Sequence, residues 1–250
     1  MEFSIVSNSP GLEGRELRKY WLDGISTIGV ISGEPYGIRF HNTSEFKVGV
    51  RISVDGTDVL SGRKANLNPQ GSQFVIEPYG VLPLNAWPET TNGGARFVFG
   101  LIENSVAVHT HGDIDARGYI SAAVFVEPYD VRQSDPYGSR DAVLAPDMYD
   151  RGPSGAQDVS LQRDRPATGA GEYVSQHLRE ALGLTRPRFS QLIQVRYLFW
   201  NDLVGRLRKQ GAPQAPIHPT GFEDQQLANL GTTPRLGDVG APARYTRFVL

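Results

Sequence analysis

Residues 49–65 read Gly49-Val50-Arg51-Ile52-Ser53-Val54-Asp55-Gly56-Thr57-Asp58-Val59-Leu60-Ser61-Gly62-Arg63-Lys64-Ala65, and this stretch decides the fold class. Val50, Ile52 and Val54 alternate with Arg51 and Ser53, which puts three apolar side chains on one face of a strand. Asp55-Gly56 follows at once. Both residue types accept positive φ, so the pair predicts a two-residue hairpin turn. The short apolar pair Val59-Leu60 comes next, and Ser61-Gly62 breaks the chain again. The segment reads as antiparallel β, with Asp55 and Gly56 as structural turn residues.

Working outward, the same grammar recurs. Asp23-Gly24 is a second turn of this kind. Thr27–Ile31, Gly37–Asn42, Gln73–Ile76, Val81–Leu84, Ala95–Phe99, Val106–Val108 and Tyr119–Val126 join Phe46–Val54 as short strands. Turn signals separate them every 8–15 residues or so, the signature of an antiparallel β-sandwich of jelly-roll type. Glu-Pro-Tyr occurs at 34–36, 77–79 and 127–129 with unequal spacing. Proline cannot donate to a ladder and so ends or edges a strand. Tyrosine is then expected to cover the open end of the sandwich.

Composition shifts after Val126. The reading divides the chain into an N-terminal arm or edge strand (1–14), a sandwich core (15–130) and a long loop (131–172). A helix–strand–helix extension (173–210) and an extended Pro/Gly-rich arm (211–250) follow. Within the extension, Tyr173–Leu184 reads as a helix, Phe189–Tyr197 as a strand and Leu198–Lys209 as a second helix. The final arm buries too little on its own to offset its ordering entropy. It is therefore expected to pack on neighbouring subunits, with Trp200, Phe222, Tyr245 and Phe248 as interface anchors.

The chain has 250 residues, no cysteine, 28 glycines, 17 prolines and a formal net charge of −2. Ordinary usage gives about 30 Gly plus Pro in such a length, so turns or irregular arms are abundant. Without cysteine there is no disulfide, thiolate metal site or cysteine nucleophile. No cationic surplus favours phosphate, so no specific nucleic-acid binding is expected. No secretory signal and no membrane-length apolar run is visible, and no membrane role is expected.

Motifs for nucleotide, serine-hydrolase or zinc-protease chemistry are missing, and nothing requires a cofactor. His109 and His111 would share one strand face, and Asp113 or Asp115 could complete a facial metal site. A polar hairpin loop is the plainer reading of the same residues. Asp55, Asp58, Glu77 and Glu89 offer carboxylates, but no spacing singles out a pair. Trp21, Trp87 and Trp200 could line a glycan platform or serve as core and interface anchors. Arg179, Arg186, Arg188, Arg196, Arg206, Arg208 and Lys209 make 179–209 locally basic.

A dispersed pattern resembles a set of β-sandwich proteins of proteobacteria and their phages. It is carried by Gly14-Arg15-Glu16, Leu22-Asp23-Gly24, Gly33-Glu34, Tyr36, Ile38-Arg39, Asn42, Val54-Asp55-Gly56 and Ser61-Gly62. Further along it includes Trp87, Phe97-Val98-Phe99, Gly118, Ala123-Val124-Phe125, Thr168-Gly169, Gly171-Glu172, Arg196-Tyr197 and Leu203-Val204. The match spans about residues 14–210, and His109 and His111 lie outside it. The resemblance implies a scaffold and transfers no catalytic residue.

The expected function is that of a virion structural protein. It would be a capsid decoration (cement) or head-associated protein, assembled in the host cytoplasm, touching the major capsid protein and copies of itself. A homo-oligomer, with a trimer as the natural guess, fits that reading. A glycan-binding or glycan-active protein with an aromatic-lined sandwich face is the alternative.

Overall fold

The computed structural model describes residues 1–111, 116–127, 165–178 and 183–211. Among them the strands run β1 (Glu2–Ser7), β2 (Lys19–Leu22), β3 (Ile25–Val30), β4 (Pro35–His41), β5 (Val48–Val54), β6 (Thr57–Asp58) and β7 (Phe74–Ile76). They continue with β8 (Val81–Leu84), β9 (Ala86–Thr90), β10 (Gly93–Leu101), β11 (Tyr119–Val126), β12 (Pro166–Ser175) and β13 (Arg188–Phe199). Two short helices accompany them, α1 (Val106–His111) and α2 (Trp200–Lys209).

The strands form two sheets packed as a sandwich, mainly antiparallel as the alternation predicts. One has six strands in the order β1-β4-β10-β12, with β8 on β4 and β9 on β10. The other has seven, in the order β2-β3-β13-β11-β5-β6, with β7 on β5. Strand β13 runs parallel to β3 and antiparallel to β11. The inner faces meet in one apolar cluster, in which Phe3, Ile38 and Phe97 of the first sheet join Val50, Ile52, Val54 and Ile120 of the second. Each fully buried side chain of this kind contributes about 1.5–3 kcal/mol.

Four expectations are corrected. Residues 1–14 are no arm: β1 pairs with β4 from Glu2↔His41 to Ser7↔Tyr36, and Phe3 and Ile5 enter the core. The loop read at 131–172 already contains the start of β12, which pairs with β10 from Leu101↔Pro166 to Gly93↔Ser175. Its run of small residues hides the strand, because alternation needs large apolar side chains to be visible. The helix read at Tyr173–Leu184 begins inside this strand, and residues 179–182 lie outside the described ones. The extension at 173–210 is no appendage, since β13 sits mid-sheet between β3 and β11.

The fourth correction is Val106–Val108, which is helical. The His109 amide donates to the Ser105 carbonyl at 3.2 Å, and the Thr110 hydroxyl to the Val106 carbonyl at 2.6 Å. Val106 and Ala107 are buried against the sandwich, so tertiary packing overrides the β preference of valine.

Helix α2 lies on the outer face of the seven-stranded sheet. Leu203, Val204, Leu207 and Trp200 pack on Leu22 and Leu198 in a second, smaller apolar cluster. Gly29 admits the Trp200 ring: a Cβ there would lie 2.6 Å from the ring and 2.9 Å from Leu203. Neither helix is long and apolar enough to cross a membrane.

Candidate functional site

Both Asp-Gly pairs form turns with two positive φ angles, 53° and 74° at Asp23-Gly24 and 52° and 77° at Asp55-Gly56. This is the backbone that a two-residue hairpin of matching twist requires. The two aspartates then do more than turn the chain. Both reach β13, and they do so at adjacent residues.

Asp55 is 1% exposed, at the end of β5 between the sheets. Its Oδ1 accepts from the Gly118 amide at 2.8 Å and from the Tyr197 hydroxyl at 2.5 Å. Its Oδ2 accepts from the Thr168 amide at 2.7 Å. The Thr168 hydroxyl lies 3.0 Å from the Tyr197 hydroxyl and 3.0 Å from that of Tyr36. With Asp55 ionised, every hydroxyl can donate once along Tyr36→Thr168→Tyr197→Asp55, which leaves no donor in the chain unused. Thr168 and Tyr36 belong to the six-stranded sheet, whereas Asp55, Gly118 and Tyr197 belong to the other side. The network therefore ties the two sheets together. Around it the rings stack, with Tyr36 and Phe99 centroids 3.9 Å apart and Phe99 and Tyr197 centroids 5.2 Å apart.

Burial raises the Asp55 carboxyl from 3.8 to about 6. The Tyr197 hydroxyl, the Thr168 and Gly118 amides and the Arg117 charge all pull the other way. Burial also pushes the Tyr197 phenol well up, helped by the charge of Asp55, and does the same to Tyr36. A buried acid against a phenol resembles a proton-transfer pair. Here both carboxylate oxygens are already held by protein donors, so the arrangement acts as a cross-link.

Asp23 is the outward counterpart. Arg196 donates to the Leu22 carbonyl at 2.9 Å, to Asp23 Oδ2 at 3.2 Å and to the Thr27 hydroxyl at 3.2 Å. Gln210, past the end of α2, donates to Asp23 Oδ1 at 2.9 Å. Arg196 and Tyr197 point to opposite faces of β13, as neighbours on a strand must. One turn grips the strand from outside, the other from inside.

A second buried polar group closes the hairpin of the opening segment. Arg51 faces away from the core yet is 6% exposed, because residues 61–73 wrap over it. Its guanidinium donates to the Ser72 and Asn66 carbonyls and to Asn66 Oδ1, and lies 3.4 Å from Asp58 Oδ2. Asp58 Oδ1 in turn accepts from the amide and hydroxyl of Ser61. Sequence reasoning took Arg51 as a solvent-facing strand residue. An Arg followed by a Gly/Asn/Ser-rich loop was the available signal, since buried loop carbonyls need a donor.

The other candidate residues fall apart spatially. His109 is on α1 and its Nε2 contacts the Glu103 carbonyl at 2.8 Å, so the shared strand face with His111 does not exist. Asp113 and Asp115 lie outside the described residues, and among those described no three metal-ligating side chains gather. Glu77 pairs with Lys47 on the surface, Asp58 with Arg51, and Asp55 with Tyr197, so these carboxylates form no catalytic pair. Trp87 and Trp200 are buried at 7% and 6%, whereas Trp21 is 73% exposed. The three tryptophans therefore line no common platform, and Trp200 anchors α2 rather than an interface. Phe222, Tyr245 and Phe248 lie outside the described residues. Arg196 is consumed by the Asp23 turn, which removes it from a basic face. The repeated Glu-Pro-Tyr also splits: Tyr36 is core, Tyr79 is exposed.

Compared with family models, with curated proteins and with solved structures, the chain matches none.

Proposed function

We propose that this chain is a structural protein of a virion, a decoration or head-associated sandwich that docks on the major capsid protein and on copies of itself. One observation carries the reading. The residues on which the phage-protein resemblance rests, Tyr36, Asp55, Gly118, Thr168 and Tyr197, converge on a single enclosed tie between the sheets. They serve rigidity, which a shell component needs, and they hold Asp55 away from any substrate. Helix α2 and β13, fastened to both turns, give the region beyond Gly211 a firm base.

The glycan alternative is weakened, because Trp87 and Trp200 are spent inside the molecule. The test is to add purified chain to undecorated shells of the source phage and image them by electron microscopy. Regular density on the shell, with a rise in the temperature at which the shell opens, is the expected result. Free chain and unchanged shells at saturating concentration would refute it.

A further inference from the structure

Strand β2 is the terminal strand of the seven-stranded sheet, and it carries Trp21 at 73% exposure. A terminal strand presents a row of backbone donors and acceptors to any strand that comes alongside. Four residues, Lys19-Tyr20-Trp21-Leu22, pair with β3 on the inner side, from Lys19↔Ile28 to Leu22↔Ile25. On the outer face Tyr20 and Leu22 lean on the α2 cluster. Trp21, on the opposite face, projects from the open flank of the sandwich.

We infer that β2 pairs with β2 of a second copy, antiparallel, about a two-fold axis through Trp21. The inference extends the reading of the chain as a subunit that touches copies of itself, and it supplies a specific contact. A two-fold axis perpendicular to the sheet keeps each face on its own side. A residue can then oppose only one that points the same way, because strand side chains alternate. With Trp21 opposite Trp21, Tyr20 falls opposite Leu22 and Lys19 opposite Asp23 of the second copy. Aromatic meets aromatic, apolar meets apolar, and the cation meets the anion, twice over by symmetry. Opposed pairs of these kinds are the favourable ones in antiparallel sheets. The neighbouring allowed register, centred on Tyr20, sets Lys19 against Trp21 and Arg18 against Leu22, which wastes every charge. The Arg18 guanidinium already lies 5.4 Å from the centre of its own Tyr20 ring.

The chain lacks cysteine, so a single introduced thiol reports the register. Directly opposed residues in an antiparallel pair have Cα atoms about 4.5–5.5 Å apart. That falls within the roughly 4.4–6.8 Å that a disulfide spans. Trp21→Cys in the full chain should give a covalent dimer on mild oxidation. Lys19→Cys should not, since its own counterpart would be about 14 Å away along the strand. Tyr79→Cys, at an exposed position elsewhere, measures random collision. In sedimentation equilibrium the unmodified chain should dimerise, and Lys19→Glu should weaken the dimer about tenfold or more. A chain that stays monomeric at all concentrations overturns the proposal. So does a trimer, or a Trp21→Cys chain that cross-links no faster than Tyr79→Cys. A monomer that still decorates shells would sink this contact and leave the proposed function standing. A Trp21-centred dimer that ignores shells would do the reverse.

Discussion

The Tyr197 hydroxyl donates to Asp55 across 2.5 Å, from the middle of β13 to the last turn of the β5 hairpin, 142 residues away in sequence. The bond turns a hairpin residue into the meeting point of strands from both sheets. Removing either partner tests how much of the fold's cohesion passes through it.

Asp55→Asn is the sharper variant, because asparagine also tolerates the positive φ at 55 and leaves the turn intact. An amide offers one acceptor oxygen where the carboxylate offers two. Its NH2 must then face either the Thr168 amide or the donors on the other side. The expected cost is about 2–4 kcal/mol in urea unfolding. Tyr197→Phe, which removes one bond, should cost about 1–3 kcal/mol. The double variant should cost less than the sum, since the two losses share one bond.

Stability should depend on pH through Asp55 with a definite sign. The folded carboxyl titrates near 6 against an ordinary 3.8, so between these values the folded protein binds more protons than the unfolded chain. The contribution is fully present below pH 3.8 and is lost as pH rises through 6, about 3 kcal/mol in all. Burial raises Glu34 as well, so it adds a slope of the same sign. The measurement is the difference in unfolding free energy between the unaltered chain and Asp55→Asn. That advantage should shrink by about 3 kcal/mol from pH 4 to pH 7. A growing advantage would contradict it.

Gly29→Ala should push Trp200 off the sheet. The new methyl would sit 2.6 Å from the indole and 2.9 Å from Leu203, contacts that both must relieve by moving. Overpacking of this kind costs about 1–3 kcal/mol. Among the three tryptophans, emission from Trp200 should shift to the red, most clearly in a Trp21→Phe background. Unchanged emission and stability would show that α2 is not seated on Gly29.

Arg51→Ala should free the segment between Ser61 and Gln73. It removes the donors to the Asn66 and Ser72 carbonyls and leaves the Asp58 carboxylate without its buried cation. Breaking a buried pair from one side costs about 3–5 kcal/mol. Hydrogen exchange and limited proteolysis should accelerate first within 61–73. Uniform acceleration across the chain would mean that Arg51 supports the whole sandwich instead.

Much of the sandwich was legible where the code is local. Val50, Ile52 and Val54 alternate because their strand has one buried face, and Asp55-Gly56 turns because both residues accept positive φ. The exceptions have physical reasons. Ala167-Thr168-Gly169-Ala170 lacks large side chains, so β12 leaves little periodic trace. Val106 to His111 carries β-prone residues that packing bends into a helical turn. Trp87 and Trp200 could equally have been surface anchors, because one side chain's burial depends on what lies above it.

The sequence by itself determined the antiparallel strands and the two Asp-Gly turns, since period-two alternation and positive φ are properties of neighbours along the chain. Only the tertiary structure decided that Asp55 would meet Thr168 and Tyr197. It also decided that Arg51 would be roofed over and that Trp21 alone of the three tryptophans would face outward. Those outcomes depend on strand order and on which sheet each strand joins. Contacts across 113 and 142 residues are fixed when the two sheets close on one core, and no local pattern encodes them.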